Sequence, residues 1–444
     1  TAIRDCGVAA LAIDEAHCVS HWGHDFRPDY GRLGEVRAAL GSPPCLALTA
    51  TATPAVQRDI RTVLGLGDAP LFHAGIARDN LFLSVHECGD ETAKRDRLLA
   101  TLHRTGGPAI VYCALIRDLL RLESDLQRQG LRPLVYHGDL SAHERRTLQQ
   151  RFQDAPDALM LATNAFGMGI DKADIRAIVH WQIPRTLEAY WQEVGRAGRD
   201  GQGAYCELLW HADDLAIQRD FTEWANPTAA FAHEVAMHLQ GLGERVQAVD
   251  VDTLRATFLH KNRHDGRIDT VLRLLRSAGC SEGELGRDFR LVRVPDLGEV
   301  DDWLPADKRQ NDLMALLRMV RYATEGACRK ATIHDHFGQP LATPGCGACD
   351  VCLAGATWQA THLPEPRPLP RGDSTQAVDA ADPASNQPAP LQRGDWIDAA
   401  GLGPCCVLRV HRRGKGWMAD VERASDLATR SLDLRRARWR RLER

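Results

Sequence analysis

At 444 residues with 44% hydrophobic content, the chain is too long for one ordinary domain and rich enough in apolar residues to build several cores. Its formal net charge of -4 forces no nucleic-acid partner, so any DNA-binding surface has to be local. Thirteen cysteines, an odd number scattered singly except for a tight group at 346–352, argue against a secreted disulfide framework; no apolar stretch approaches membrane-spanning length. The expectation is a soluble bacterial protein of the cytoplasm, associated with the nucleoid and with no membrane partner.

The first element is an apolar strand, Val8–Ile13, running straight into Asp14, Glu15, Ala16 and His17. In nucleotide hydrolysis an acid at a strand end can hold Mg²⁺, and its neighbour can orient and polarise the attacking water. Asp14 suits the first role and Glu15 the second, although an ordinary polar strand terminus would also read this way. A second strand, Cys45–Thr49, ends in Thr-Ala-Thr-Ala-Thr, a hydroxyl-rich turn able to hydrogen-bond the acidic site and a neighbouring lobe. Threonine suits strands in any case.

After a break near Gly75–Asn80, the strands Ala109–Cys113, Ala158–Ala162 and Ala177–His180 alternate with helical patterns at Arg117–Gln129 and Ala142–Phe152. Strands separated by helices imply a parallel, doubly wound α/β sheet. The expected architecture is α/β with two such lobes, an incomplete one over 1–76 and a second over 77–222. The stretch Leu161–Lys172 carries Thr163 and Asn164, then a glycine-rich turn. Such a loop can offer backbone N–H groups to a nucleic-acid phosphate, with Gly169 and Asp171 on the nucleotide side. Downstream, Gln192, Arg196 and Arg199 sit in Gln-Glu-Val-Gly-Arg-Ala-Gly-Arg-Asp-Gly. Arginines projected across a cleft stabilise charge on a transferring phosphoryl group. A solvated basic turn is the competing reading.

Over 223–305, Val251–Phe258, Gly266–Ala278 and the β-like Phe289–Val294 suit a helix, helix and hairpin wing, or else a small helical connector without DNA contact. A periodic helix, Gln310–Tyr322, then leads into Cys328, Cys346, Cys349 and Cys352, a step of 18 residues followed by two C-x-x-C steps. Four thiolates at this spacing can close a tetrahedral structural Zn²⁺ site, which defines a module over 306–356. The remaining nine cysteines, including Cys405 and Cys406, read as ordinary buried thiols. Leu363–Leu391 have a linker composition, which places a disordered linker over 357–392, and 393–444 read as a small basic β-barrel of SH3-like or Tudor-like type with strands at Cys406–Val410 and Trp417–Val421.

Taken together, the order and wording of these motifs resemble superfamily 2 helicases. The segment Ser-His-Trp-Gly-His-Asp-Phe-Arg-Pro-Asp-Tyr at 20–30, directly after Asp-Glu-Ala-His-Cys-Val, is similar to the aromatic-rich loop of the RecQ family. In that family the loop senses single-stranded DNA and links its binding to ATP hydrolysis. Trp22 and Phe26 offer stacking faces and Arg27 a phosphate contact, which suits sequence-tolerant strand binding. The resemblance covers Val8–Trp210 and Gln310–Leu353, including Cys328 and the group at 346–352. It implies two RecA-like lobes and an ATP-dependent helicase moving 3′ to 5′ on single-stranded and duplex DNA, in repair or recombination. ATP, Mg²⁺ and structural Zn²⁺ would be its cofactors. Asp14 would hold Mg²⁺, Glu15 activate water, His17 link the lobes, Gln192 orient the site, and Arg196 and Arg199 meet the γ-phosphate.

The chain departs from that family in three places. No G-x-x-x-x-G-K-[ST] loop occurs, the one Gly-Lys pair being Gly414-Lys415, so an amino-terminal part is expected to be missing and the fragment to be inactive alone. About 85 residues separate the second lobe from Gln310. The terminal module is unlike the usual last domain of these helicases and grips either DNA or a protein partner. An RNA helicase of the wider superfamily and a non-hydrolysing DNA-binding scaffold are the alternatives.

Overall fold

The computed structural model describes residues 7–20, 28–167, 170–259, 265–304, 307–364, 391, 395–399, 403–413, 416–423, 429–434 and 439–442. Trp22, Phe26, Arg27 and Gly169 lie outside the described residues. The chain forms two units, 1–372 and 373–444.

In the first unit, β1 (Leu11–Ile13) pairs in parallel with β2 (Cys45–Ala47). The helix Pro54–Val63 follows the threonine run because Thr53 caps it, its hydroxyl accepting the Val56 N–H, with Pro54 in the first turn. Val56 and Ile60 on this helix bury against Ile13, Ala16 and Val19.

The second lobe is a six-stranded sheet. In chain order its strands are β3 (Leu81–Glu87), β4 (Ala109–Tyr112), β5 (Leu134–Tyr136), β6 (Leu159–Ala162), β7 (Ala177–His180) and β8 (Ala204–Trp210). All pair in parallel, in the spatial order β3-β8-β7-β4-β6-β5. Every residue of β4, β6, β7 and β8 is buried, as a sheet covered on both faces requires. β3 and β8 carry Ser84, His86 and Glu207, which hides them from a search for apolar runs. Glu207 is fully buried on β8 and satisfied by Arg97 Nε at 2.7 Å, by His86 at 3.1 Å and by the Thr101 hydroxyl.

The cysteine-bearing segment covers the β3 edge of this sheet. Leu83 N–H donates to Ala348 O at 3.2 Å, and Asp350 N–H donates to Leu83 O at 3.0 Å. The Asp350 side chain accepts the Val85 N–H at 2.9 Å and pairs with Arg329 Nε at 2.9 Å. Covering an edge in this way removes a row of unpaired backbone groups. Residues 357–362, expected as the start of the linker, are instead part of the helix Gly355–His362. The reason is Trp358, which is buried 5.2 Å from the Phe82 ring, itself stacked on Tyr205. A Cβ on Gly203 would lie 2.1 Å from the His362 carbonyl oxygen, so this close approach requires glycine.

The 223–305 region folds as helices Ala229–Leu242, Val251–Phe258 and Arg267–Ser277, a short antiparallel hairpin of β9 (Ser281–Glu282) and β10 (Arg290–Leu291), and a helix Leu297–Trp303. Val235, Leu239, Leu254, Ile268, Val271 and Phe289 form its own core. The helix Lys308–Thr324 then returns to the second lobe, where Tyr322 packs on Tyr190 with ring centroids 5.3 Å apart. No described helix is long and apolar enough to cross a membrane.

The second unit is a five-stranded antiparallel sheet of β11 (Trp396–Ala399), β12 (Gly403–Arg413), β13 (Gly416–Arg423), β14 (Thr429–Asp433) and β15 (Trp439–Leu442), in the order β14-β13-β12-β11-β15. Ile397, Cys405, Val407, Ala419 and Val421 form its core. Alternation along β12 turns Cys405 inward and leaves Cys406 half-buried, so Cys406, like Cys45 in the first lobe, departs from the buried thiol expected.

Candidate hydrolytic site and nucleic-acid cleft

Asp14 and Glu15 leave the carboxyl end of β1. Glu15 has φ 49°, a left-handed conformation that a side chain adopts at a cost of roughly 1–2 kcal/mol. The turn is held locally, with Glu15 N–H donating to Asp14 Oδ1 at 2.9 Å and Ala16 N–H donating to Leu48 O at 2.8 Å. Strain of this kind gathers where a side chain has to point somewhere unusual. Glu15 Oε2 is buried 3.2 Å from His17 Nδ1, yet it makes no well-formed hydrogen bond among the described residues. That arrangement suits a carboxylate that has to take a water molecule.

His17 is buried, and its Nδ1 lies 3.0 Å from Thr49 Oγ1. Thr49 Oγ1 is also 3.3 Å from both the N–H and the carbonyl oxygen of Thr51. The hydroxyl-rich turn, expected to be able to hydrogen-bond the acidic site, meets it through His17 and Thr49, which ties the acidic turn of β1 to the threonine turn of β2.

In the second lobe, Gln192 lies half-buried on the helix Leu187–Val194, which runs into the turn bearing Arg196 and Arg199. Arg196 is buried, and its guanidinium donates to the Gly167 carbonyl, while its Nε has no partner among the described residues. Arg199 donates to Ile170 O at 3.0 Å and to Asp171 Oδ1 at 3.1 Å. Both arginines therefore hold the glycine-rich loop in this structure, joining the arginine turn to the segment that carries Thr163 and Asn164. Arg199 and the largely exposed Asp171 remain accessible, so that pair can exchange partners. Thr163 is fixed by its N–H to Tyr136 O at 3.1 Å, and the Tyr112 hydroxyl donates to Phe166 O at 3.0 Å. Burial pushes the Tyr112 hydroxyl well above the usual phenol range, which keeps it a neutral donor.

A cleft of about 1380 Å³ opens where β4, β5, β6 and β7 end. Ligands of open α/β sheets gather beyond the carboxyl ends of the strands. Thr163, Asn164 and Arg185 line its second-lobe wall, Gly31 and Arg32 its first-lobe wall, and Thr270, Arg273 and Ser277 a third wall. Those three residues occupy one face of the helix Arg267–Ser277, a part of the cleft that sequence reasoning missed. Spacing of three and four along a helix was the available signal, but the residues are ordinary polar ones.

The Sγ atoms of Cys328, Cys346, Cys349 and Cys352 all lie within 4.8 Å of one another, with Cys349 and Cys328 4.0 Å apart. Sulfurs around one tetrahedral zinc ion would stand roughly 3.8 Å apart, so the donor set and its size fit that metal. A hydrogen bond from Cys346, with others from the backbone N–H groups of Arg329 and Cys352, outweighs burial and pulls the Cys349 thiol down to about 5. Cys346 is pushed up in turn. A thiol held low is the readier to bind metal, which takes the thiolate form.

The family model for the helicase conserved C-terminal domain matches residues 93–201, and that for RecQ zinc-binding matches residues 296–353. The second match falls on the cysteine cluster and the segment that covers β3. In its zinc-binding segment the chain is similar to the RecQ family. Among curated relatives, the chain is 39% identical over 244 residues to the probable ATP-dependent DNA helicase RecS of Bacillus subtilis, covering 55% of this chain and 49% of that protein. It is 41% identical over 222 residues to the ATP-dependent DNA helicase RecQ of the same organism, covering 50% and 37%. The chain thus spans about half the length of the first relative and less of the second. Among solved structures, Saccharomyces cerevisiae Dbp5 bound to RNA and ADP BeF3 aligns at a TM-score of 0.40 and 22% identity over 48% of this chain and 57% of that one, too distant to add to the argument.

Proposed function

We propose that this chain carries the hydrolytic acids, the arginine turn and the zinc module of an ATP-dependent DNA helicase that moves 3′ to 5′ and serves repair or recombination. The observation that supports this reading best is Glu15, whose backbone is strained and whose buried Oε2, without a well-formed hydrogen bond among the described residues, stands 3.2 Å from His17 in the His17–Thr49 cluster. Asp14 would hold Mg²⁺ and Glu15 orient the attacking water. Arg196 and Arg199 would leave their loop carbonyls for the γ-phosphate when the lobes close on ATP. ATP with Mg²⁺ supplies the phosphoryl group and the charge that these residues meet.

DNA would occupy the cleft beyond β4–β7, with Thr163 and Asn164 on its backbone, and the 223–305 region would contribute Arg273 as a third wall. Zinc would be structural, bound by Cys328, Cys346, Cys349 and Cys352.

The test is ATP hydrolysis by the protein that carries this chain together with a phosphate-binding loop, with and without single-stranded DNA. Turnover that DNA stimulates and Glu15→Gln abolishes is expected. DNA binding without turnover would leave a scaffold, and stimulation by RNA alone would make the substrate RNA.

A further inference from the structure

The segment between the two lobes carries a basic side chain that the proposed chemistry does not use. Arg78 lies just before β3, and its guanidinium donates to three carbonyls: Gly195 O at 2.8 Å, Ala197 O at 2.5 Å and Gly198 O at 3.1 Å. These carbonyls flank Arg196 and immediately precede Arg199. Asn80 adds a second clasp, its Nδ2 donating to Gly198 O at 2.7 Å and Gln202 O at 2.8 Å. The approach is so close that a Cβ on Gly198, where φ is +55°, would stand 2.5 Å from Asn80 Nδ2. The arginine turn is therefore gripped from behind by the interlobe segment.

That segment is in turn held by the zinc module. Lys330 is buried, two residues after Cys328, and its Nζ donates to Arg78 O at 2.8 Å and Asp79 O at 3.3 Å. Gln339 Oε1 accepts the Ile76 N–H at 3.2 Å. A buried ammonium costs stability unless it is hydrogen-bonded, so Lys330 resists any movement that takes these carbonyls away. An unbroken path runs from Cys328 through Lys330 and Arg78 to the carbonyls on either side of Arg196.

We propose that Arg78 is a positioning residue for the Arg196–Arg199 turn and that Lys330 makes its placement depend on the zinc cluster. What the turn does chemically rests on the helicase reading; the linkage rests on these contacts alone. Zinc in this account sets the geometry of a hydrolytic element as well as sealing a sheet edge.

The test uses the zinc-loaded full chain with Lys330→Met, and Arg78→Lys as a second variant that keeps the charge but cannot reach three carbonyls. Metal content is measured first, to establish that one zinc remains bound. Amide hydrogen exchange over residues 195–201 is then expected to quicken about tenfold in both variants, while exchange in β6 and β7 stays unchanged. In the protein able to hydrolyse ATP, the same variants should lower kcat about tenfold and leave the KM for ATP within about twofold, because the turn is needed in the transition state and not for binding. Unchanged exchange over 195–201 in zinc-loaded Lys330→Met would overturn the proposal, whatever the activity. Quickened exchange in a protein whose wild type never hydrolyses ATP would overturn the helicase reading and leave the linkage standing.

Discussion

The two lobes support their functional residues in different ways. In the first, Asp14 is exposed and Glu15 half-buried, and the turn they form runs into the buried stretch Ala16–Ser20 and is tied to the threonine turn through His17 and Thr49. In the second, four strands are buried end to end, and the arginine turn is pinned from behind by Arg78 and Asn80. A side chain that is exposed or half-buried, as Asp14 and Glu15 are, can be changed for its chemistry with little loss of stability. A side chain backed by a core cannot. The difference separates residues whose substitution should alter the rate from those whose substitution should alter the fold.

The largest effect expected is at Glu15. Glu15→Gln should lower kcat for ATP hydrolysis by about 10³-fold, near the middle of the range for removing a general base, with the melting temperature almost unchanged. A large loss of stability with activity retained would break the comparison between lobes. Trp358→Ala, on the covered side of the second lobe, should do the reverse and cost about 3–5 kcal/mol in urea unfolding. Its breaking result is a loss below about 1 kcal/mol, which would mean that the helix Gly355–His362 contributes little to covering β3. Cys349→Ser should drop zinc content below one ion per chain and speed amide exchange at Leu83 and Asp350, the backbone groups that join the module to β3. Thr49→Val, which removes the hydroxyl beside His17, should cost about 1 kcal/mol and a few-fold in rate.

The smallest effect is a pH dependence in the second lobe. Burial alone would raise the Glu207 carboxyl, but hydrogen bonds from His86 and Thr101 and the charge of Arg97 outweigh it and hold it below the ordinary carboxylate range. A folded value below the unfolded one gives stability that is present above the unfolded value and lost as pH falls through the folded one. The urea midpoint should therefore fall on acidification below about pH 4, and Glu207→Gln should flatten that loss. An identical acid limb in both proteins would remove Glu207 from the account.

Much of the second lobe was legible because buried parallel strands read as plain apolar runs, as in Ala109–Tyr112 and Ala177–His180. β3 and β8 were not read as strands, since His86 on one and Glu207 on the other satisfy each other only across elements far apart in sequence. The cysteine spacing was enough to foresee the cluster, and a hydrogen bond from the threonine turn to the acidic site was expected, but that His17 and Thr49 make it depends on strand pairing. Nothing in the composition of 357–362 distinguished a helix from a linker, because one buried tryptophan decides it. Arg78 was invisible for a related reason: a lone arginine in a loop declares nothing until the carbonyls it reaches are known.

Strand separation decides whether the acidic turn and the arginine turn drive unwinding of DNA. The protein carrying this chain and a phosphate-binding loop would be given a partial DNA duplex with a 3′ tail, one with a 5′ tail, and the matching RNA duplexes. ATP-dependent release of the strand from the 3′-tailed DNA, absent with Glu15→Gln, is the result the account predicts. Binding of the tailed DNA with no release at any ATP concentration, or release confined to RNA, would contradict it.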